Sequence, residues 1–162
     1  MTKKIYYTNN DLDRGVRSIA IKMFRSPWRP DFIIGILRGG VIPAVYLSHW
    51  VDVPMMAIEW SNRDNAVGQN IDDSEIIKRV SQGQKVLVVD DICDTGVTFR
   101  KVATELTSIW HYNHTKGLNH VDMKTACLHY NIGQSTFEPD YYHLEIDKTE
   151  DPCWIVYPWE DV

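Results

Sequence analysis

Four short apolar runs, separated by stretches of helical length, constrain this chain more than any other feature. They are "DFIIGIL" (31–37), "PMMAIEW" (54–60), "KVLVV" (85–89) and "VDMKTACLHY" (121–130). Runs this short, apolar at consecutive positions and rich in Ile and Val, suit strands buried on both faces. Between them, "TNNDLDRGVRSIAIKMF" (8–24) opens with capping residues and then sets Leu12, Val16, Ile19, Ala20 and Met23 at helical spacing. "VIPAVYLSHWV" (41–51) and "GVTFRKVATELTSIW" (96–110) also read as helices. Strands alternating with helices predict an α/β fold, a parallel sheet flanked by helices. The polar, aperiodic "SNRDNAVGQNIDDSE" (61–75) is expected to be a long loop. From Gly133 the pattern changes to short aromatic-rich pieces, so residues 133–162 are expected to form a small C-terminal hood on a single domain spanning 1–162.

A chain of 162 residues is long enough for one domain with a substantial core. Its formal charge is −5 and no Lys/Arg cluster occurs, which opposes a nucleic-acid partner. No apolar run nears the ~20 residues of a membrane span, and "MTKKIYYTNNDL" lacks the apolar centre of a signal peptide. A cytoplasmic protein without a membrane partner is the expectation. Cys93, Cys127 and Cys153 are odd in number and far apart, so reduced, buried thiols are expected instead of disulfides or a zinc site.

In a parallel sheet, ligands bind beyond the carboxyl ends of the strands. Two loops fall there, "LRGG" (37–40) and "DDICDTGVT" (90–98). In the second, Asp94, Thr95, Gly96, Val97 and Thr98 lead into a helix, where backbone N–H groups and hydroxyls can cradle a phosphate. The acid pair Asp90 and Asp91 would repel that phosphate, so it must face hydroxyl groups or a cation such as Mg²⁺. Arg38 can hold a second anion. The chain has neither the Gly-Lys-Ser/Thr of a Walker loop nor G-x-G-x-x-G, and Asp91-Ile-Cys-Asp94-Thr has the wrong spacing for D-x-D-x-T.

The stretch "VLVVDDICDTGVT" (86–98) resembles the phosphoribosyl pyrophosphate site of the type I phosphoribosyltransferases. "GILRGGVIPAVYLSHWVDVP" (35–54) is similar to the pyrophosphate loop and following helix of the xanthine-guanine and hypoxanthine branch. "PDYYHLEI" (139–146) and "CWIVYPWED" (153–161) are similar to its C-terminal hood. The resemblance implies transfer of a phosphoribosyl group from phosphoribosyl pyrophosphate to a purine base (guanine, xanthine or hypoxanthine). That reaction releases pyrophosphate and makes a nucleoside monophosphate for salvage. It also implies Mg²⁺ as cofactor and a homo-oligomer, dimer or tetramer.

Residue by residue, the resemblance implies that Asp90 and Asp91 meet the ribose hydroxyls, with Asp91 the nearer to Mg²⁺. Asp94, Thr95, Gly96, Val97 and Thr98 would bind the 5′-phosphate, and Asp94 would also take a proton from the base. Leu37, Arg38 and Gly39 would hold pyrophosphate in a loop that often carries a non-proline cis peptide, with Arg38 stabilising the leaving group. Trp154 would stack on the base, Ile155 would present backbone groups to its edge, and Ser61, Asn62 and Arg63 would belong to a lid. One departure stands out: enzymes of this branch carry a Lys after the fourth strand that donates to the purine oxygen, whereas here Tyr130 or Asn131 occupies that point. Asn131 can donate to a carbonyl but is neutral and also accepts, so the base stays open. A phosphoribosyltransferase for another base, or a non-catalytic regulatory protein of this fold, fits the same motifs.

Overall fold

Side chains of the central strands divide between two faces, as a pleat requires. Ile33, Leu87, Val89, Ala126 and Leu128 enter one core, whereas Phe32, Ile34, Val86, Val88 and Cys127 enter another on the opposite side. The computed structural model describes residues 2–60, 71–113 and 120–160. In chain order the elements are β1 (Lys3–Tyr6), α1 (Asn9–Arg25), β2 (Phe32–Leu37), α2 (Val41–Val51), β3 (Met55–Glu59) and α3 (Ser74–Ser81). There follow β4 (Val86–Cys93), α4 (Val97–Asn113), β5 (Met123–Asn131), β6 (Tyr141–Ile146) and β7 (Cys153–Val156). Five strands form a parallel sheet in the order β3-β2-β4-β5-β6, and β1 pairs in parallel with β7. The α/β fold expected from the sequence is the fold the chain adopts.

The helices close both faces. α1 starts where Thr8 and Asp11 form a reciprocal capping box: the Asp11 N–H donates to Thr8 Oγ1 (3.2 Å), and the Thr8 N–H donates to the Asp11 carboxylate (2.9 Å). Its stripe of Leu12, Val16, Ile19, Ala20 and Met23 joins Ala44 and Leu47 of α2 over the first core. Ile76 and Val80 of α3, with Phe99, Val102 and Leu106 of α4, cover the second. Leu87 and Ile34 are fully buried, and truncating such a residue to Ala costs ~2–5 kcal/mol. No helix among the described residues is long and apolar enough to cross a membrane. All three cysteines are buried and unpaired, as expected.

The sequence reading is corrected at three places. The tail from residue 133 adds a strand to the main sheet, since β6 lies beside β5, whereas β7 pairs with β1 outside it. β1 itself goes unread because its four residues, Lys-Lys-Ile-Tyr, are all exposed and show no buried alternation. The polar stretch ends earlier than expected, since Asp73 caps α3 by accepting from the N–H groups of Glu75 and Ile76.

His129 of β5 is only 3 % exposed. Its Nδ1 lies 2.8 Å from the Tyr157 hydroxyl, and its ring meets those of Tyr7 and Tyr157 edge-on. Burial pushes its pKa down to about 4. A His held neutral in the fold but free to protonate when unfolded contributes stability that is complete above the unfolded pKa of ~6.5 and is lost as pH falls through its folded value. Acid unfolding followed by near-UV circular dichroism should therefore show a loss of stability between pH ~6.5 and ~4, of up to ~3 kcal/mol from this group. In His129→Asn, the loss over that window, measured from the variant's own neutral-pH stability, should be smaller.

Candidate active site

The strand order places a topological switch between β2 and β4. The chain leaves β2 for β3 on one side, while β4 lies on the other, so the segments following β2 and β4 meet beyond their carboxyl ends. The contact is close: a Cβ at Gly39 would collide with the Asp91 carboxylate, and one at Gly40 would stand 2.7 Å from Asp90 Cα. Leu37–Arg38 is a cis, non-proline peptide bond. The Arg38 side chain is exposed at this mouth.

Asp90 and Asp91 lie within β4, which runs on to Cys93, and not in the loop after it as the motif suggested. The pairing with β5 takes in Asp90 and Ile92 but skips Asp91. The Asp91 N–H donates to Asp90 Oδ1 (2.9 Å), the Ile92 N–H donates to Asp91 Oδ1 (2.8 Å), and the Tyr157 hydroxyl donates to the Asp91 carbonyl (3.1 Å). The loop proper is short, and α4 begins at Val97. Gly96 has φ +79°, and a Cβ there would sit 2.9 Å from the Phe137 nitrogen and 2.8 Å from Ser135 Oγ.

The segment after β5 braces this loop. The Thr136 N–H donates to the Thr95 carbonyl (3.1 Å), and Arg100 of α4 donates to the Thr136 carbonyl (2.7 Å) and hydroxyl (2.6 Å). Cys93 Sγ lies 3.3 Å from Ser135 Oγ, and burial pushes its thiol pKa up, which suits an inert filler better than a nucleophile. A cavity of about 260 Å³ opens among Asp90, Asp94, Thr95, Gly96, Thr98 and Phe99.

Around Asp94 the structure departs from expectation. Asn131, expected to face a base, is fully buried, and both ends of its amide are engaged. Nδ2 donates to Asp94 Oδ1 (2.7 Å) and Gln134 Oε1 (3.3 Å), while Oδ1 accepts from the Lys148 N–H (3.1 Å). Tyr130 packs into the second core, 5.2 Å from the Tyr142 ring. The residue that sequence reasoning missed is Lys148, whose Nζ stands 3.2 Å from Asp94 Oδ1. It sits in the turn between β6 and β7, where only the closure of the sheet could bring it to Asp94. Trp154 is half exposed on β7, next to the buried Ile155 that pairs with Ile5 of β1. Ser61, Asn62 and Arg63 lie outside the described residues.

The phosphoribosyl transferase domain model matches residues 3–160. The chain belongs to the phosphoribosyltransferase family. It is 27% identical to the hypoxanthine-guanine phosphoribosyltransferase of Schizosaccharomyces pombe, over 97% of this chain and 89% of that protein. Among solved structures, it is similar to a purine phosphoribosyltransferase from Pyrococcus horikoshii (30% identity, TM-score 0.71, 98% of this chain and 95% of that one). It is also similar to a Neisseria gonorrhoeae protein solved with bound ppGpp (26% identity, TM-score 0.75, 100% of this chain and 92% of that one).

For this phosphoribosyltransferase the acid pair is the place to ask whether a cation fits. Burial first, and then the neighbouring Asp91, pushes Asp90 well above the usual carboxylate range; burial likewise raises Asp91 to about 6, with Glu160 adding to it. No ion pair engages either carboxylate among the described residues. Two hard oxygen donors, adjacent and uncompensated, suit Mg²⁺, which takes one or two carboxylates and leaves its other positions to water or substrate. Replacing Asp91 by Asn should remove repulsion and stabilise the ligand-free protein by about 1 kcal/mol in urea unfolding at neutral pH. Mg²⁺ should raise the Tm of the wild type but not that of the variant.

Proposed function

We propose that this protein transfers the phosphoribosyl group from phosphoribosyl pyrophosphate to a purine base in nucleotide salvage. The observation that carries this reading is the contact of Gly39 with the Asp91 carboxylate, which sets the loop after β2 against the strand whose Asp90 and following loop line the cavity. The 5′-phosphate would lie on the backbone of Thr95, Gly96, Val97 and Thr98 at the start of α4, where the helix dipole favours an anion. Asp90 and Asp91 would accept from the ribose hydroxyls. Leu37, Arg38 and Gly39 would take the pyrophosphate.

In the reaction the bond from the anomeric carbon to pyrophosphate breaks, and a bond to a ring nitrogen of the base forms. The proton on that nitrogen goes to Asp94. Arg38 stabilises the negative charge that grows on the leaving group, the kind of preorganised electrostatic help that dominates such sites. Mg²⁺ held by Asp91, with Asp90, would supply further charge neutralisation there. Trp154, half exposed on β7, is the candidate platform for the base.

A second reading has its own support: the similar Neisseria gonorrhoeae protein holds ppGpp, so the cavity could serve guanine-nucleotide sensing without turnover. Incubation with phosphoribosyl pyrophosphate, Mg²⁺ and each of guanine, xanthine, hypoxanthine, adenine, uracil and orotate separates the two. Pyrophosphate release with a purine is the expected result. Tight ppGpp binding by calorimetry, with no release from any base, would replace transfer by sensing. In the enzyme, Asp94→Asn should lower kcat by ~100-fold or more while the KM for phosphoribosyl pyrophosphate changes only a few-fold; equal losses in both would remove Asp94 from proton transfer.

A further inference from the structure

The ladders of the sheet pass the Asp91 main chain by. Pairing of β4 with β2 ends at Val89, and pairing with β5 steps from Asp90 to Ile92. A side chain serves Asp91 instead: the Tyr157 hydroxyl donates to its carbonyl (3.1 Å). The direction of that bond is forced, because a carbonyl only accepts and a hydroxyl has one hydrogen. The Tyr157 oxygen must therefore accept in its 2.8 Å contact with His129 Nδ1. His129 is thereby assigned as the Nδ1–H tautomer, and a one-way chain runs from its imidazole through the phenol to Asp91. Each bond in such a chain polarises the next.

The donor is also rigidly held. The buried Tyr157 ring stacks on Trp159 (4.8 Å, 4° between planes) and meets Tyr7 edge-on (5.6 Å). Its N–H donates to Glu160 Oε2 (3.2 Å), and its carbonyl accepts from the Glu160 N–H (2.9 Å). Tyr157 directly follows β7, so one hydrogen bond ties the strand that carries Trp154 to the acid pair, 66 residues away in the chain.

We propose that Tyr157, oriented by His129, is a positioning residue for the ribose and Mg²⁺ end of the ligand: it fixes the Asp91 main chain and thereby aims the Asp91 carboxylate. That carboxylate cannot stay behind when its backbone shifts, since Oδ1 accepts from the Ile92 N–H (2.8 Å) and Gly39 packs against it. The proposal rests on the phosphoribosyl-transfer reading and adds to it a residue that acts through Asp91 instead of on a reactant. Partners one bond removed from such a ligand typically contribute ~10–100-fold in affinity or activity.

The test uses Tyr157→Phe, which removes the hydroxyl and keeps the ring. Calorimetric Kd values for phosphoribosyl pyrophosphate, with Mg²⁺ and no base, are compared among wild type, Tyr157→Phe, Asp91→Asn and the double variant, well below every Tm. Tyr157→Phe should raise Kd ~10-fold, whereas in the Asp91→Asn background the same change should alter it less than ~2-fold. His129→Asn keeps an amide N–H donor and should bind nearly as wild type does; a loss as large as that of Tyr157→Phe would overturn the part given to His129. A merely structural hydroxyl would lower Tm and leave Kd unchanged. That result, or equal losses of affinity in the two backgrounds, would overturn the positioning role. If wild type binds phosphoribosyl pyrophosphate but releases no pyrophosphate with any base, the transfer reading alone falls, and the Kd comparison still decides Tyr157. Absence of binding by wild type would overturn both.

Discussion

The site depends on the absence of one atom. A Cβ at residue 39 cannot coexist with the Asp91 carboxylate, so glycine there lets the loop after β2 lie directly against β4. Gly40 packs as tightly against the backbone of β4 at Val89 and Asp90. Because the sheet order sets β2 and β4 side by side at the point where the chain reverses its direction of travel, this packing makes two distant segments a single surface. The anion loops gain their relative position from backbone contact, which is stiffer than any arrangement of long side chains.

Charge is distributed along that surface in a way that explains its chemistry. The acid pair lies part-buried with only N–H groups for company, and both its members are shifted toward the protonated form. The start of α4 follows it by six residues, and the exposed Arg38 belongs to the loop that touches it. Asp94 differs from its neighbours because Asn131 and Lys148 both engage it. Three aspartates within five residues thus stand in two separate electrostatic settings.

Much of this was legible in the sequence, for definite reasons. β2 and α2 announced themselves because one is apolar at consecutive positions and the other has helical length bounded by Gly40 and Asp52. The passage from β4 through a short loop into α4 was legible because strand, acid pair, Asp-Thr-Gly and helix are contiguous. What stayed hidden is what the sequence does not hold together. Lys148 meets Asp94 only through the closure of β5 on β4 and β6 on β5, and local pattern carries no trace of such a meeting. Asn131 was placed near the right point, but its full burial, which turns it from a base contact into a clamp, depends on the Asp147 turn packing over it. β6 was read as part of a hood because its burial is uneven along its length, as befits a sheet edge.

The pairing of Lys3–Tyr6 with Cys153–Val156 has a consequence for how the molecule comes to exist. Closing a loop that spans almost the whole chain costs more entropy than any other contact in the fold, so such pairings tend to form after local and neighbouring-strand contacts. The strand that carries Trp154 is therefore set last. A nascent chain can assemble the cavity beyond the carboxyl end of β4 before the strand that carries Trp154 has its partner.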